Sequence, residues 1–470
     1  MFFCLIIPTS LTYDSLNLSY DPISNGNTLY VGGVGEGNYS KIQYAIDNAT
    51  DGDTVFVYNG KYYENIEAEK SINLIGEDRE NTIIDGNGNY SVILFKNMYL
   101  VEGVSVKKFT IQNGSTGIAY STGINKINES KHFHKSLIRP SGGFSNNIII
   151  NNEIGIGVGW RSEYIFIADN IITNNKKGIE MDCYSWYNFI INNTIKDNDY
   201  GIYGHGILSN IFLENDITSN NNDGIYFRSY CNDNEINNNK LFNNYNGIFF
   251  DYDCGGNIIS NNNISSNTKN GINFIRSESN NINDNTIIGN VLGISLYLSS
   301  HNKIENNDIS NQKNYAAIRL YFQCDHNKIN DNILSNNEHG IIIRNSNEND
   351  ITNNIISKNV YGLNIYRKSR HNNVSENIIS DNIYGIIIGN PIFAILSIED
   401  LVDRSIFNDI IKNNFEKNKY HSYIDGCLFN KWDQNYWSRS RFFPKIIFGH
   451  FLFLPWFNID WNPAKEPYDF

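Results

Sequence analysis

From Gly155 onward the apolar positions of this chain return with a fixed step. A Gly-Ile-like pair stands at Gly155-Ile156, Gly178-Ile179, Gly201-Ile202, Gly224-Ile225, Gly247-Ile248, Gly271-Ile272, Gly293-Ile294, Ala317-Ile318, Gly340-Ile341, Gly362-Leu363 and Gly385-Ile386. The intervals average 23 residues and range from 22 to 24. Two further apolar positions keep the same step. One is led by Ile171, Ile217, Leu241, Ile264, Ile287, Ile309, Ile333, Ile355 and Ile378, the other by Ile236, Ile258, Ile282, Ile304, Ile329, Ile351 and Val374. Each repeat therefore offers three short stretches of alternating apolar and polar residues, separated by Asn, Ser, Asp and Gly. Alternation in such short pieces predicts strands, since none is long enough to form a helix with one apolar face.

Three strands and three turns per repeat predict an all-β chain wound as a right-handed parallel β-helix, a solenoid of about 23 residues per coil. Leucine-rich repeats would need a leucine consensus, and helical repeats longer Ala-rich stretches; neither is present. The same geometry accounts for 81 Asn in 470 residues. Equivalent residues of adjacent coils lie about 4.8 Å apart. Asn tolerates the left-handed backbone of a corner, and its amide donates to one neighbour while accepting from the other.

The ends differ from the middle. Residues 1–25 read as a signal remnant and leader, with the apolar stretch Met1 to Pro8 lacking a preceding basic residue. Residues 26–110 read as an N-terminal cap and first coils. Ile42, Ala45, Ile46 and Ala49 make a helical stripe with Ser40 as its N-cap, a helix cap over the first coil. Strands are expected at 54–57, 71–75, 82–84 and 92–95. Residues 111–145, with His132 and His134, read as an irregular insertion, and 146–428 as the β-helix with a late loop at 389–405. Residues 429–470 carry Trp432, Trp437, Trp456 and Trp461 and read as a Trp-rich hydrophobic cap.

Composition narrows the partners. With 37 Lys plus Arg against 50 Asp plus Glu, the net charge is −13, and no broad positive field exists to hold nucleic acid. No apolar run reaches transmembrane length. The six Cys form no CxxC, which argues against a zinc knuckle or iron–sulfur site. Cys231 and Cys254 hold equivalent positions on neighbouring coils, where either a disulfide or a pair of buried thiols is possible.

The motifs Gly26-Asn27-Thr28-Leu29-Tyr30-Val31-Gly32-Gly33, Asp51-Gly52-Asp53-Thr54-Val55, Tyr62-Tyr63-Glu64-Asn65-Ile66 and Thr82-Ile83-Ile84-Asp85-Gly86 resemble right-handed β-helix surface proteins common in archaea. Relatives are often named after the periplasmic copper-associated protein NosD. Asn430-Lys431-Trp432-Asp433 with Asn435-Tyr436-Trp437 is similar to a segment frequent in the same group. The resemblance implies the fold and a secreted or cell-surface location. Its copper association would call for clustered Met, Cys or His, and the chain has 3 Met and 9 dispersed His. No metal site or cofactor is expected, apart from Ca²⁺ were the chain a polysaccharide lyase.

Chemistry is sought on the outward ladders of the repeat. Counting from each Gly, the second and fourth following positions face out. On four consecutive coils they give Glu180 and Asp182, Tyr203 and His205, Tyr226 and Arg228, Phe249 and Asp251. Acidic groups beside Tyr203, Tyr226, Phe249 and Arg228 suggest a glycan-binding groove whose rings stack on sugars. Were the chain enzymatic, Glu180, Asp182, His205, Arg228 and Asp251 would be the catalytic candidates. Asp182 and Asp251, three coils apart at roughly 14 Å, are too far apart for a glycosidase pair, whereas Glu180 and Asp182 at about 7 Å would suit inversion. Charges alternating over stacked strands also serve simple solubility. The expectation is a non-catalytic protein that binds polysaccharide or another cell-envelope component along this face. A polysaccharide lyase or hydrolase is the alternative, and a rigid envelope spacer a third.

Overall fold

The computed structural model describes residues 26–96, 103–121, 142–313, 315–389, 405–451 and 454–470. The leader, His132 and His134, and nearly all of the late loop lie outside them. The chain is an all-β parallel solenoid of about 17 turns with about 23 residues per turn. Each coil gives one strand to each of three parallel stacks, and every strand pairs with its equivalents one coil before and after. On one stack Ile202, Ile225, Ile248 and Ile272 align in successive coils. On another Ile236, Ile259 and Ile282 do so.

The inward ladders form one continuous core of fully buried Ile, Leu, Val and Phe, with Phe227, Phe250 and Phe274 stacked 4.8–5.0 Å apart along it. At three apolar doublets the leading residue of the repeat is not the one in the core, whereas at Ile287-Ile288 it is. Ile259, Leu334 and Ile356 are the buried members, whereas Ile258, Ile333 and Ile355 are exposed. In a strand the face changes at every residue, so a slip of one reverses the assignment.

Glycine marks the tightest approach between coils. A Cβ at Gly201 would stand 2.4 Å from the Gly224 carbonyl oxygen and 2.9 Å from an Ile217 methyl. The Asn residues divide into two roles at adjacent positions. The first of a pair bends the chain in the left-handed region, as Asn238 (φ 54°) and Asn261 (φ 55°) do. The second points inward: the backbone N–H and side-chain amide of Asn239 both donate to Oδ1 of Asn262, 2.9 and 3.1 Å. Asn262 does the same to Asn285. One such ladder climbs from Asn147 to Asn435, a second from Asn188 to Asn430, and a third from Asn152 to Asn418, where Gln312 takes one rung. Buried amides thereby satisfy one another at every corner.

The helix cap spans Ile42–Asn48 and buries Ile42, Ala45 and Ile46 against the first coils. Ser40 is not its cap. Lys41 holds that position without a side-chain bond, and the Glu64 carboxylate accepts from the Ile42 and Gln43 N–H groups instead, at 2.9 and 3.0 Å. Thr110–Gln112, Thr116–Tyr120 and Gly142–Ser145 are regular coil strands, so the described part of 111–145 belongs to the stack. At the other end Lys431–Asp433 and Tyr436–Trp437 still pair in parallel, and an antiparallel hairpin of Lys445–Phe451 and Leu454–Asp460 closes the stack. Of the four Trp read as a hydrophobic cap, Trp432 and Trp437 are buried at the end of the core, and Trp456 and Trp461 are exposed.

Candidate functional site

Four strands, Lys177–Met181, Tyr200–His205, Ile225–Arg228 and Ile248–Asp251, carry the outward column. Their inward neighbours, among them Ile202, Ile225, Phe227 and Phe250, are fully buried and fix the register. Glu180, Tyr203, Tyr226 and Phe249 are aligned across the coils, as are His205, Arg228 and Asp251. The structure thus brings every predicted member onto one face.

The rings are arranged differently from a sugar-stacking platform. Tyr226 stacks on Phe249 with centroids 5.2 Å apart and on Tyr200 at 5.7 Å, while Tyr203 meets Tyr226 edge-on at 5.3 Å. The ammonium of Lys177 lies 4.0 Å from the Tyr203 centroid. With both Tyr226 faces occupied in this way, its edge and hydroxyl are what remain for a ligand. The Tyr226 hydroxyl donates to Oδ2 of Asp251 at 3.2 Å. Burial and the Asp251 charge hold its pKa above the usual tyrosine value.

Glu180 is bound to Lys177 in a close ion pair and does not stand free beside Asp182. Asp182 faces His205, Oδ1 to Nδ1 at 3.7 Å, with both side chains well exposed. Sequence reasoning missed Cys183. Its Sγ lies 3.4 Å from the same His205 Nδ1, and its backbone N–H donates to Asp182 Oδ1 at 2.8 Å. Burial, followed by the Asp182 charge, raises the Cys183 pKa. Cys183 sits between the Asp182 column and the corner, at a position that no periodicity singles out. Asp182, Cys183 and His205 form the one group of three potential metal ligands among the described residues. Sulfur and imidazole donors do not suit Ca²⁺, which takes oxygen ligands.

Cys231 and Cys254 are both buried and both free thiols, the second of the two arrangements their spacing allows. They belong to an inward corner column shared with Ser162, Ser185, Ser277, Ser299, Ser346 and Ser369, all fully buried. Each Sγ lies near carbonyls of its own turn and of the preceding coil, Cys231 at 3.6 Å from Arg228 and 3.5 Å from Gly204, Cys254 at 3.6 Å from Tyr252 and 3.7 Å from Phe227. The Ser299 hydroxyl donates to the Tyr297 carbonyl at 2.9 Å. Small side chains with a donor fill most of this column, and Ile207 takes the place between Ser185 and Cys231.

A second aromatic row escaped the sequence reading. His339, Tyr361, Tyr384 and Tyr420 stack in succession at 4.6, 5.3 and 5.0 Å. His339, Tyr361 and Tyr384 each stand immediately before an anchor position, 22 and 23 residues apart, which was the available signal; Tyr420 lies 36 residues beyond Tyr384, past the late loop. A shallow depression of about 510 Å³ lies at another corner, lined by His326, Glu348, Asn349, Asp350, His371 and Asn373.

The family described as "right handed beta helix region" matches residues 136–287 and 251–379, together over half of the chain. No curated protein matches significantly. Among solved structures, the A-module of the mannuronan C-5 epimerase AlgE4 of Azotobacter vinelandii is 16% identical, covering 75% of this chain and 95% of its own, with a TM-score of 0.38. The Dettilon tailspike protein is 12% identical over 82% of this chain and 64% of its own, TM-score 0.42. PfbA, a surface adhesin of Streptococcus pneumoniae, is 15% identical over 70% and 88%, TM-score 0.35. Likenesses at these scores carry no argument about chemistry.

Proposed function

We propose, for a chain that belongs to the right-handed β-helix family, a non-catalytic secreted or cell-surface protein that binds a polysaccharide or similar envelope polymer along the Glu180–Asp251 face. The observation that carries this reading is the in-register column itself. Tyr203, Tyr226 and Phe249 form a half-buried aromatic floor, and His205, Arg228 and Asp251 form a polar rim beside it, repeated at each coil. A spacing of about 4.8 Å between rungs is commensurate with a polymer of sugar units, each offered a hydroxyl, a charged group or an aromatic edge.

The pairing of Glu180 with Lys177 favours binding over hydrolysis, because it removes Glu180 as a free partner for Asp182. The N-terminal motifs support the narrower kinship with NosD-named archaeal surface proteins and, with it, export. No helix among the described residues is long and apolar enough to cross a membrane.

The test is incubation of the protein with a panel of acidic and neutral polysaccharides, with and without Ca²⁺, scoring bound polymer and released oligosaccharide. Binding without release is expected. Release of products would replace this reading by a lyase or hydrolase, and a blank in both assays would replace it by a structural spacer.

A further inference from the structure

We propose that Asp182, Cys183 and His205 form a binding site for a divalent ion of the zinc class. The proposal does not depend on the glycan reading, though His205 belongs to both, and it rests on the geometry of three side chains. With Zn–S near 2.3 Å and Zn–N or Zn–O about 2.0–2.1 Å, the edges of a tetrahedral site measure about 3.3–3.6 Å. The structure sets Cys183 Sγ to His205 Nδ1 at 3.4 Å and His205 Nδ1 to Asp182 Oδ1 at 3.7 Å, and all three ligand atoms lie within 4.8 Å of one another. Two of the three separations are thus close to the edges of one coordination tetrahedron, and the third, from Cys183 to Asp182, closes by rotation of the exposed carboxylate.

The backbone prepares the site. Asp182 and Cys183 leave the strand end consecutively, and the Cys183 N–H bond to Asp182 Oδ1 at 2.8 Å orients the carboxylate. His205 is supplied by the next coil. Gly206, in the left-handed region at φ 61°, leaves room for the thiol, since a Cβ there would stand 3.2 Å from Cys183 Sγ. Cys183 is also set apart from the other described cysteines. Cys231, Cys254, Cys324 and Cys427 are buried, whereas Cys183 is reachable. Exposure of Asp182 and His205 leaves the fourth position to water, the pattern of an open rather than a closed zinc site. A thiolate, an imidazole and one carboxylate suit a borderline ion and not Ca²⁺ or Mg²⁺. Arg228 aligns with His205 on the next coil, and the Arg161 backbone N–H donates to the Cys183 carbonyl from the preceding one at 3.3 Å. Binding forms metal–Sγ, metal–Nδ1 and metal–Oδ1 bonds, releases the thiol proton to solvent and changes no oxidation state.

Titration of the reduced, metal-free protein with Co²⁺ tests this, because a cobalt–thiolate bond gives a charge-transfer absorption that carboxylate or imidazole ligation alone does not. The expected result is one Co²⁺ per chain with that absorption, displaced by Zn²⁺ and abolished in Cys183→Ser. His205→Gln and Asp182→Asn are expected to weaken binding by more than the roughly tenfold that loss of an outer-shell partner costs. Circular dichroism of Cys183→Ser should be unchanged, as the residue lies outside the core. Absence of the absorption, or its persistence in Cys183→Ser, overturns the proposal and leaves the three groups as a surface hydrogen-bonding cluster.

Discussion

The side-chain amide of Asn246 donates to Oδ1 of the buried Asp223 at 2.7 Å. Burial nonetheless outweighs this bond and raises the Asp223 pKa from 3.8 to about 6. The folded state therefore holds a proton that the unfolded chain has lost between pH 3.8 and about 6, and this group's contribution to stability falls as pH rises through that window. Asp223→Asn should stabilise the protein above pH 6 by up to about 3 kcal/mol and have little effect near pH 4. Urea denaturation of both proteins at pH 4 and pH 7.5 checks it, and equal differences at the two values would refute it.

His339 acts in the opposite sense. Its ring stacks on Tyr361 and meets Tyr315 edge-on, and burial lowers its pKa from 6.5 to about 4, despite Glu338 Oε1 4.0 Å away. Its contribution is complete above pH 6.5 and is lost as pH falls toward 4, where the unfolded imidazole is protonated and the folded one is not. His339→Phe, which keeps the stack, should reduce the acid sensitivity by up to about 3 kcal/mol. Thermal melts of the variant and parent from pH 4 to 7 give the comparison.

Adjacent asparagines should differ sharply. Asn262→Ala leaves the backbone and side-chain donors of Asn239 without their acceptor and the Ile236 carbonyl without its donor. A loss on the order of 3 kcal/mol or more is expected. Asn263 is exposed one residue on, and Asn263→Ala should stay within about 0.5 kcal/mol of the parent. Denaturation midpoints of the two variants measure the contrast.

The coil was legible because Gly178-Ile179 and its equivalents combine two strong constraints, a carbonyl of the next coil where a Cβ would go and a fully buried Ile beside it. The apolar doublets were less legible, since Ile258 and Ile259 are both strand formers and hydrophobicity alone does not say which one turns inward. Of the site, the alignment of Tyr203, Tyr226 and Phe249 followed from the repeat. The occupation of the ring faces did not, because it depends on side-chain rotation and on Lys177 and Tyr200 from outside the column. Cys183 stayed hidden for a related reason. Its neighbour His205 is close only once the strand end has turned.

Since the faces of Tyr226 are already covered, its hydroxyl is expected to contribute most of its share of ligand binding. Tyr226→Phe should then lower polysaccharide affinity nearly as much as Tyr226→Ala, with no change in the far-ultraviolet spectrum. Retention of full affinity in the phenylalanine variant would show that ring contact, not hydrogen bonding, is what a ligand uses.

At the end of one ladder, Asp460 Oδ2 accepts from the backbone N–H and side-chain amide of Asn435 and from the Trp437 indole, at 3.0, 3.3 and 3.0 Å. Asp460→Ala should raise hydrogen exchange in the last coils while leaving Ile248 and its neighbours as protected as before. Uniform loss of protection along the whole stack would contradict a local capping role.

The ladders have a further consequence through their direction. Each Asn amide leading from Asn147 up to Asn435 donates to Oδ1 of the next coil's residue and again to a backbone carbonyl; in the row from Asn152 to Asn418 the Gln312 amide bonds only backbone carbonyls. The side-chain oxygens thus face one way along the axis, and the carboxylate of Asp460 stands at the donor end of the row that begins at Asn147.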